Sequence, residues 1–184
     1  MKKAGVENKS LCKACDGVCC KRYAGCIWPD EFANWDELVE GLASGVLAID
    51  QWEGDPRYEE TPDYDDRPDD YLSCCRFIRP AHKPGTGTTA WRQPQEVYDH
   101  QSYGGECVHF VEGLGCRLAW DARPVQCRML KPMPKGDGCE IQGEYTKQDA
   151  ALAWLPYQSQ IEKAGQAALE IQSCREPERS DSLS

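Results

Sequence analysis

The 184-residue sequence predicts a small, irregular α+β domain. Three observations lead there. Helical periodicity is confined to two stretches, near 29–44 and 147–173. Two short apolar runs flank the turn Glu112-Gly113-Leu114-Gly115, a hairpin signal with glycine available for positive φ. Elsewhere 16 Gly and 12 Pro break the chain, so loops should outweigh regular elements. With 40% apolar residues and only three Phe and three Met, the expected core is modest, and residues 1–175 read as a single domain followed by a polar tail at 176–184.

The elements follow in order. Trp28-Pro29-Asp30-Glu31 opens the first helix, because Pro suits a first turn and acids suit the positive end of the helix dipole. Phe32, Trp35, Leu38, Val39 and Leu42 recur at helical spacing until Gly45. Val46 to Trp52 and Tyr71 to Arg79 read as strands, the second ended by Pro80, with an acidic loop between them. Residues 81–95 carry Pro84, Gly85, Gly87 and Pro94 and predict a long turn. The hairpin takes Cys107–Val111 and Cys116–Trp120 as its arms. Pro124 begins a short helical turn that runs to Leu130, and Pro132, Pro134, Gly136 and Gly138 then interrupt the chain. Thr146 and Asp149 form a capping-box start for the Ala-rich helix, which should break or kink at Pro156.

Charge and targeting signals narrow the function classes. The net charge is −10, and between Glu53 and Asp70 nine acidic residues stand against Arg57 and Arg67, a local −7. Such a block predicts a solvated loop, or else a surface for a basic partner or a divalent cation. Nucleic acid is not an expected partner, since its phosphates would be repelled. No stretch approaches the ~18 apolar residues of a membrane-spanning helix, and no apolar segment follows Lys2 and Lys3 as in a signal peptide. The expected location is therefore the cytoplasm, with no membrane partner.

Twelve cysteines dominate the chemistry. In a reducing cytoplasm, dense cysteines more often ligate metal or act as redox groups than form disulfides. Cys12, Cys15, Cys19 and Cys20 form C-x2-C-x3-C-C, a spacing that lets a tight loop turn successive sulfurs inward while its amides donate to them. The adjacent pair needs a bent backbone to reach one metal, because neighbouring side chains of an extended segment point to opposite faces. A cuboidal cluster accepts the pair more readily than a single tetrahedral zinc; alternatively one of the two only packs, or two metals are present.

The run C-x2-C-x3-C-C, followed by Cys107-Val108-His109-Phe110, Gly115-Cys116 and Arg123-Pro124-x2-Cys127-Arg128, resembles the YkgJ-like cysteine-cluster family, whose members are described as zinc- or iron-chelating. A flagellin lysine methylase that carries an iron–sulfur cluster is similar in the same cysteine pattern. The likeness covers residues 12–20 and 107–128; the spacing here is two then three rather than two and two, and Cys74-Cys75 has no counterpart in it. The resemblance implies Cys12, Cys15, Cys19, Cys20, Cys107, Cys116 and Cys127 as metal ligands. It implies an iron–sulfur cluster, 4Fe-4S first, with zinc as the alternative, in a site that joins the N-terminal loop to the hairpin.

Seven thiols exceed the four that one centre takes, so a subset of the first four completed by Cys127 or Cys116 is the leading set. Across the hairpin, Cys107 and Cys116 are expected to face each other, with Cys127 returned by the Arg-Pro turn. Cys26, Cys74, Cys75, Cys139 and Cys174 read as small packed residues, Cys74-Cys75 being the best of them for a second site. His109 reads as a core residue, or as a ligand on the same strand face as Cys107; His82 and His100 say less. Arg123 and Arg128 read as charge compensation for thiolates, or as surface ion pairs.

The function expected is that of a metal-binding protein whose cluster is structural or electron-transferring. A zinc-stabilised interaction domain is the alternative, as is a metal-dependent transferase or oxidoreductase. No G-x-G-x-x-G loop follows a strand to support the last, and Cys12-x2-Cys15 lacks the βαβ context of a thiol redox motif.

Overall fold

A computed structural model of the chain describes residues 10, 17–22, 24–86, 97–98, 105–132, 139–141 and 145–175. Cys12, Cys15, His100 and the tail at 176–184 lie outside the described residues. The fold is a small α+β arrangement of short antiparallel strand pairs and a few helices, as the sequence predicts.

Helix α1 (Val18–Arg22) carries the second half of the cysteine run. A single 3-10 turn, Pro29–Glu31, replaces the start of the expected first helix. The helix itself, α2 (Trp35–Ala43), begins only at Asn34, whose side chain accepts the Glu37 amide at 2.9 Å. An N-cap of this kind satisfies an amide that the first turn would otherwise leave without a partner.

Strand β1 (Leu47–Glu53) pairs antiparallel with β2 (Cys74–Pro80), register Ile49 to Ile78. Several bonds anchor the acidic connection between them, among them those from Gln148 to the Pro56 and Tyr58 carbonyls at 3.0 and 3.1 Å. Arg57 donates to the buried Asp55 and to Asp70, and the Arg57 bonds hold the Asp55 carboxyl down to about 2. Much of the remaining negative charge in this stretch stays on exposed residues.

The hairpin is shorter than its apolar runs imply. Only β3 (Phe110–Val111) and β4 (Gly115–Cys116) pair, and Trp120–Ala122 is a 3-10 turn rather than strand. Helix α3 (Val125–Met129) follows Pro124 as expected. Strand β5 (Leu130–Pro132) then pairs with β6 (Cys139–Ile141) across the Pro- and Gly-rich segment, a pairing the sequence does not reveal. The C-terminal pair is α4 (Lys147–Trp154) and α5 (Gln158–Arg175), separated by a 3-10 turn at Leu155–Tyr157 that contains Pro156. Thr146 and Asp149 form the capping box at the start of α4.

The core lies where α2, α4 and α5 meet β1 and β2. It is built on Leu38, Leu42, Ile49, Phe77, Trp154 and Ile161, all fully buried. The Trp154 indole donates to the Ile27 carbonyl at 2.7 Å, satisfying its polar atom inside the core. Ile27 in turn bridges to Ile78 of β2, so the segment leading out of α1 is stitched to the sheet.

One ion pair lies within this core. The Arg79 guanidinium donates to Asp50 at 2.8 Å, with side chains 1% and 0% exposed, and Lys147 approaches the same carboxylate at 3.7 Å. A second Arg79 bond goes to the Pro80 carbonyl at 2.9 Å. Removing one member of such a pair strands the other charge in a low dielectric. Asp50→Asn is expected to cost about 3–5 kcal/mol in urea unfolding, and the double variant Asp50→Leu/Arg79→Met to recover most of it; equal losses in both would contradict this account.

Candidate metal centre

Cys19 and Cys20 sit on α1, with their sulfurs 4.0 Å apart. The amide of Cys107 donates to the Cys20 carbonyl at 2.7 Å, so the backbone ties α1 to a segment almost ninety residues later. Cys20 and Cys107 share a small buried cluster with Ala24 and Phe110. Cys116 lies on β4, opposite Phe110. The expected facing of Cys107 and Cys116 across the hairpin is therefore not found: Cys107 precedes the paired residues by three positions, because the ladder is only two residues long.

Cys127 is brought in by α3, which two side chains hold in place. Glu31 accepts the Val125 amide at 2.7 Å and the Arg128 guanidinium at 3.3 Å. The Gln126 carboxamide accepts the Cys26 amide at 2.6 Å and donates to the Tyr145 carbonyl. Gly25 approaches so closely that a Cβ there would collide with the Cys127 sulfur, and the Gly25 amide donates to that sulfur. The His109 amide does the same for Cys107. Amide donation to sulfur favours thiolate and is a recurrent feature of thiolate-ligated centres.

The electrostatics show how near these thiols are. Cys20 is pushed far up by the Cys19 thiol first and by burial second, with further contributions from Cys107 and Cys127. Burial pushes Cys127 well up, and Cys107, Cys19 and Cys116 add to it. Cys107 is raised to about 11, again first by burial. Thus Cys19, Cys20, Cys107, Cys116 and Cys127 form one mutually interacting group. Among the described residues, no three Cys, His, Asp or Glu side chains are drawn together tightly enough to hold a metal ion as they stand. The group is assembled as a neighbourhood, and Cys12 and Cys15 belong to the undescribed residues.

The other candidates separate from it. Cys26 and Cys75 are buried in the main core and are each raised to about 12, primarily by desolvation. The Cys75 thiol donates to the Ala151 carbonyl at 3.3 Å, as a packed cysteine does. Cys74 is half-buried at the start of β2 beside it, Cys139 starts β6, and Cys174 is exposed near the end of α5. Cys20, Cys26, Cys74, Cys75, Cys107, Cys116, Cys127 and Cys174 are thiols and not disulfides.

His109 is a partner of Arg117, whose Nε donates to its Nδ1 at 3.3 Å. Burial and then the Arg117 charge lower His109 to about 4, so its ring is neutral at physiological pH with Nδ1 used as an acceptor. That is the core reading rather than the ligand one. Arg128 pairs with Glu31, and Arg123 donates to the Leu118 carbonyl at 3.1 Å and covers the Trp120 ring. Both line a cleft of about 580 Å³ with Glu37 and Asp121.

Other cations reach this neighbourhood, two of them over Phe110, and sequence reasoning missed them. Lys21 and Lys83 place their ammonium groups 5.3 and 5.2 Å from the Phe110 ring centre, and Arg79 lowers Cys107. Lys21 directly follows the cysteine pair and was legible in principle; Lys83 and Arg79 were not, since only β2 and its extension bring them here.

No family model, curated protein or solved structure matches this chain. No helix among the described residues is long and apolar enough to cross a membrane.

The raised thiols set an alkaline limit for the metal-free protein. Above the ordinary thiol value of about 8.5 the unfolded chain has released protons that the folded chain still holds, so stability falls as pH rises. Each of Cys26, Cys75 and Cys107 contributes a loss of up to about 1.4 kcal/mol per pH unit between that value and its own folded value. Chemical denaturation at pH 8 and pH 10.5 should show this decline, and pH-independent stability over that range would contradict the burial described.

Proposed function

We propose that this chain is a metal-binding protein whose clustered thiolates hold an iron–sulfur cluster with a structural or electron-transferring role. One observation carries the reading: Cys19 and Cys20, Cys107 and Cys116, and Cys127 come from three separate segments and interact as one partly buried group. An all-sulfur donor set suits iron–sulfur clusters and zinc rather than the oxygen-seeking cations. The amide donors from Gly25 and His109 and the Arg79 charge would offset the negative charge of thiolates around such a centre. A bound cluster would cross-link α1, the hairpin segment and α3, and would supply one-electron chemistry. Residues of this chain supply the thiolates, the hydrogen bonds to them and the apolar cover of Phe110 and Ala24. The reading implies a reducing compartment, the cytoplasm, in which the thiols stay unoxidised; the net −10 charge speaks against nucleic acid as partner.

Zinc is the second reading, favoured by the 4.0 Å between the Cys19 and Cys20 sulfurs. Two sulfurs on one tetrahedral zinc, at about 2.3 Å from the metal, stand roughly 3.8 Å apart. Ligands of a cuboidal cluster bind different irons and are held farther from one another, so that geometry would use only one of the pair, the reverse of the preference expected from the sequence.

Anaerobic purification decides between them. A brown protein with iron and acid-labile sulfide in equal amounts supports the cluster, whereas a colourless protein with stoichiometric zinc supports the second reading. Cys107→Ser and Cys127→Ser should each lose most of the bound metal, and Cys174→Ser should keep it. Protein that takes up neither metal would end the proposal.

A further inference from the structure

The chain has three histidines, and the one least marked by its sequence context is the one the fold brings to the cysteines. His82 lies in the extension of β2 and is paired antiparallel with Cys107. Two backbone bonds frame that pair: Lys83 donates to the Glu106 carbonyl at 2.7 Å, and Val108 to the Ala81 carbonyl at 2.8 Å. Bonds that flank a pair from the outside make it the non-hydrogen-bonded type, in which the Cα atoms approach to about 4.5 Å and the side chains project from the same face. The Cys107 amide, which such a pair leaves unused, is the one that donates to Cys20. The His82 side chain is thus held on the face that carries the Cys107 thiol.

The ring is also enclosed. His82 is 4% exposed, and both ring nitrogens are shielded from solvent. Gly105 covers the Nδ1 edge so closely that a Cβ there would lie 2.5 Å from Nδ1 and 2.6 Å from Cγ. His109 has its Nδ1 engaged by Arg117.

We propose that the His82 imidazole serves the cysteine centre as a nitrogen donor beside Cys107, giving a mixed sulfur and nitrogen ligand set. The inference rests on the metal-binding reading above. A neutral imidazole in place of one thiolate removes a negative charge from a buried site, which eases the cost of holding several thiolates together. It also uses a strand pairing, rather than the cysteine motif, to fix one ligand in position.

The test is pulsed electron paramagnetic resonance on the full chain, freed of metal and loaded with cobalt(II). The unmodified protein should show the coupling of a directly bonded nitrogen. His82→Gln should lose the coupling and bind cobalt about 10-fold or more weakly, while His109→Gln keeps both. His82→Cys guards against a variant that merely misfolds: it should bind cobalt with stronger thiolate charge-transfer absorption and no nitrogen coupling. Cobalt bound without nitrogen coupling, or with coupling that survives His82→Gln, overturns the role of His82 and leaves the metal-binding reading standing. Failure of the unmodified chain to take up cobalt, zinc or iron overturns both.

Discussion

Desolvation of thiols is the constraint on which the site depends. A buried cysteine is an ordinary small apolar group while protonated and an expensive charge once ionised. In this chain burial is the first cause of the upward shift at Cys107 and Cys127, and the neighbouring thiols add to it. Thiols grouped around one place are mutually compatible only in the neutral form, or with a cation among them that converts repulsion into ligation. The amides of Gly25 and His109, already aimed at sulfur, favour the second state without enforcing it. The same physics distinguishes Cys26 and Cys75, which are as deeply buried but lie in the main core rather than in the thiol group.

Positioning is carried by the backbone and by buried polar side chains more than by the cysteine motif. The Cys107 amide links α1 to the 105–108 segment, and the extension of β2 fixes that segment from the other side. Glu31 and Gln126 hold α3 through bonds that cross about a hundred residues of sequence. The Asp50–Arg79 pair is buried on the β1–β2 sheet, and Arg79 contributes positive charge to Cys107. The main core and the cysteine neighbourhood are thus joined through β2, whose middle residues pack under α4 and whose continuation reaches Cys107.

Much of the fold was legible in local sequence. The Thr146 and Asp149 box, the break at Pro156, the strands on either side of the acidic stretch and the turn at Glu112–Gly115 follow from caps, periodicity and punctuation, which are properties of adjacent residues. Less was legible where elements are very short. The hairpin arms read as five-residue strands and pair over two, and β5 with β6 was missed because Pro and Gly residues there signal interruption more strongly than pairing. Arg123 and Arg128 were attractive by their place beside Cys127, yet they also reach Leu118, Trp120 and Glu31, because a side chain's partners are set by the direction in which its helix or turn presents it.

By itself the sequence determined the α+β class, the order and kind of most elements, the acidic balance and the candidate thiols at Cys19, Cys20, Cys107, Cys116 and Cys127. These depend on periodicity, composition and spacing, which are readable along the chain. Only the tertiary structure decided which cations stand near the sulfurs, that His82 and not His109 is opposite Cys107, and that Cys26 and Cys75 belong to the main core. Those facts arise from strand register and helix placement, and a shift of one residue in register would reverse the face on which each side chain lies.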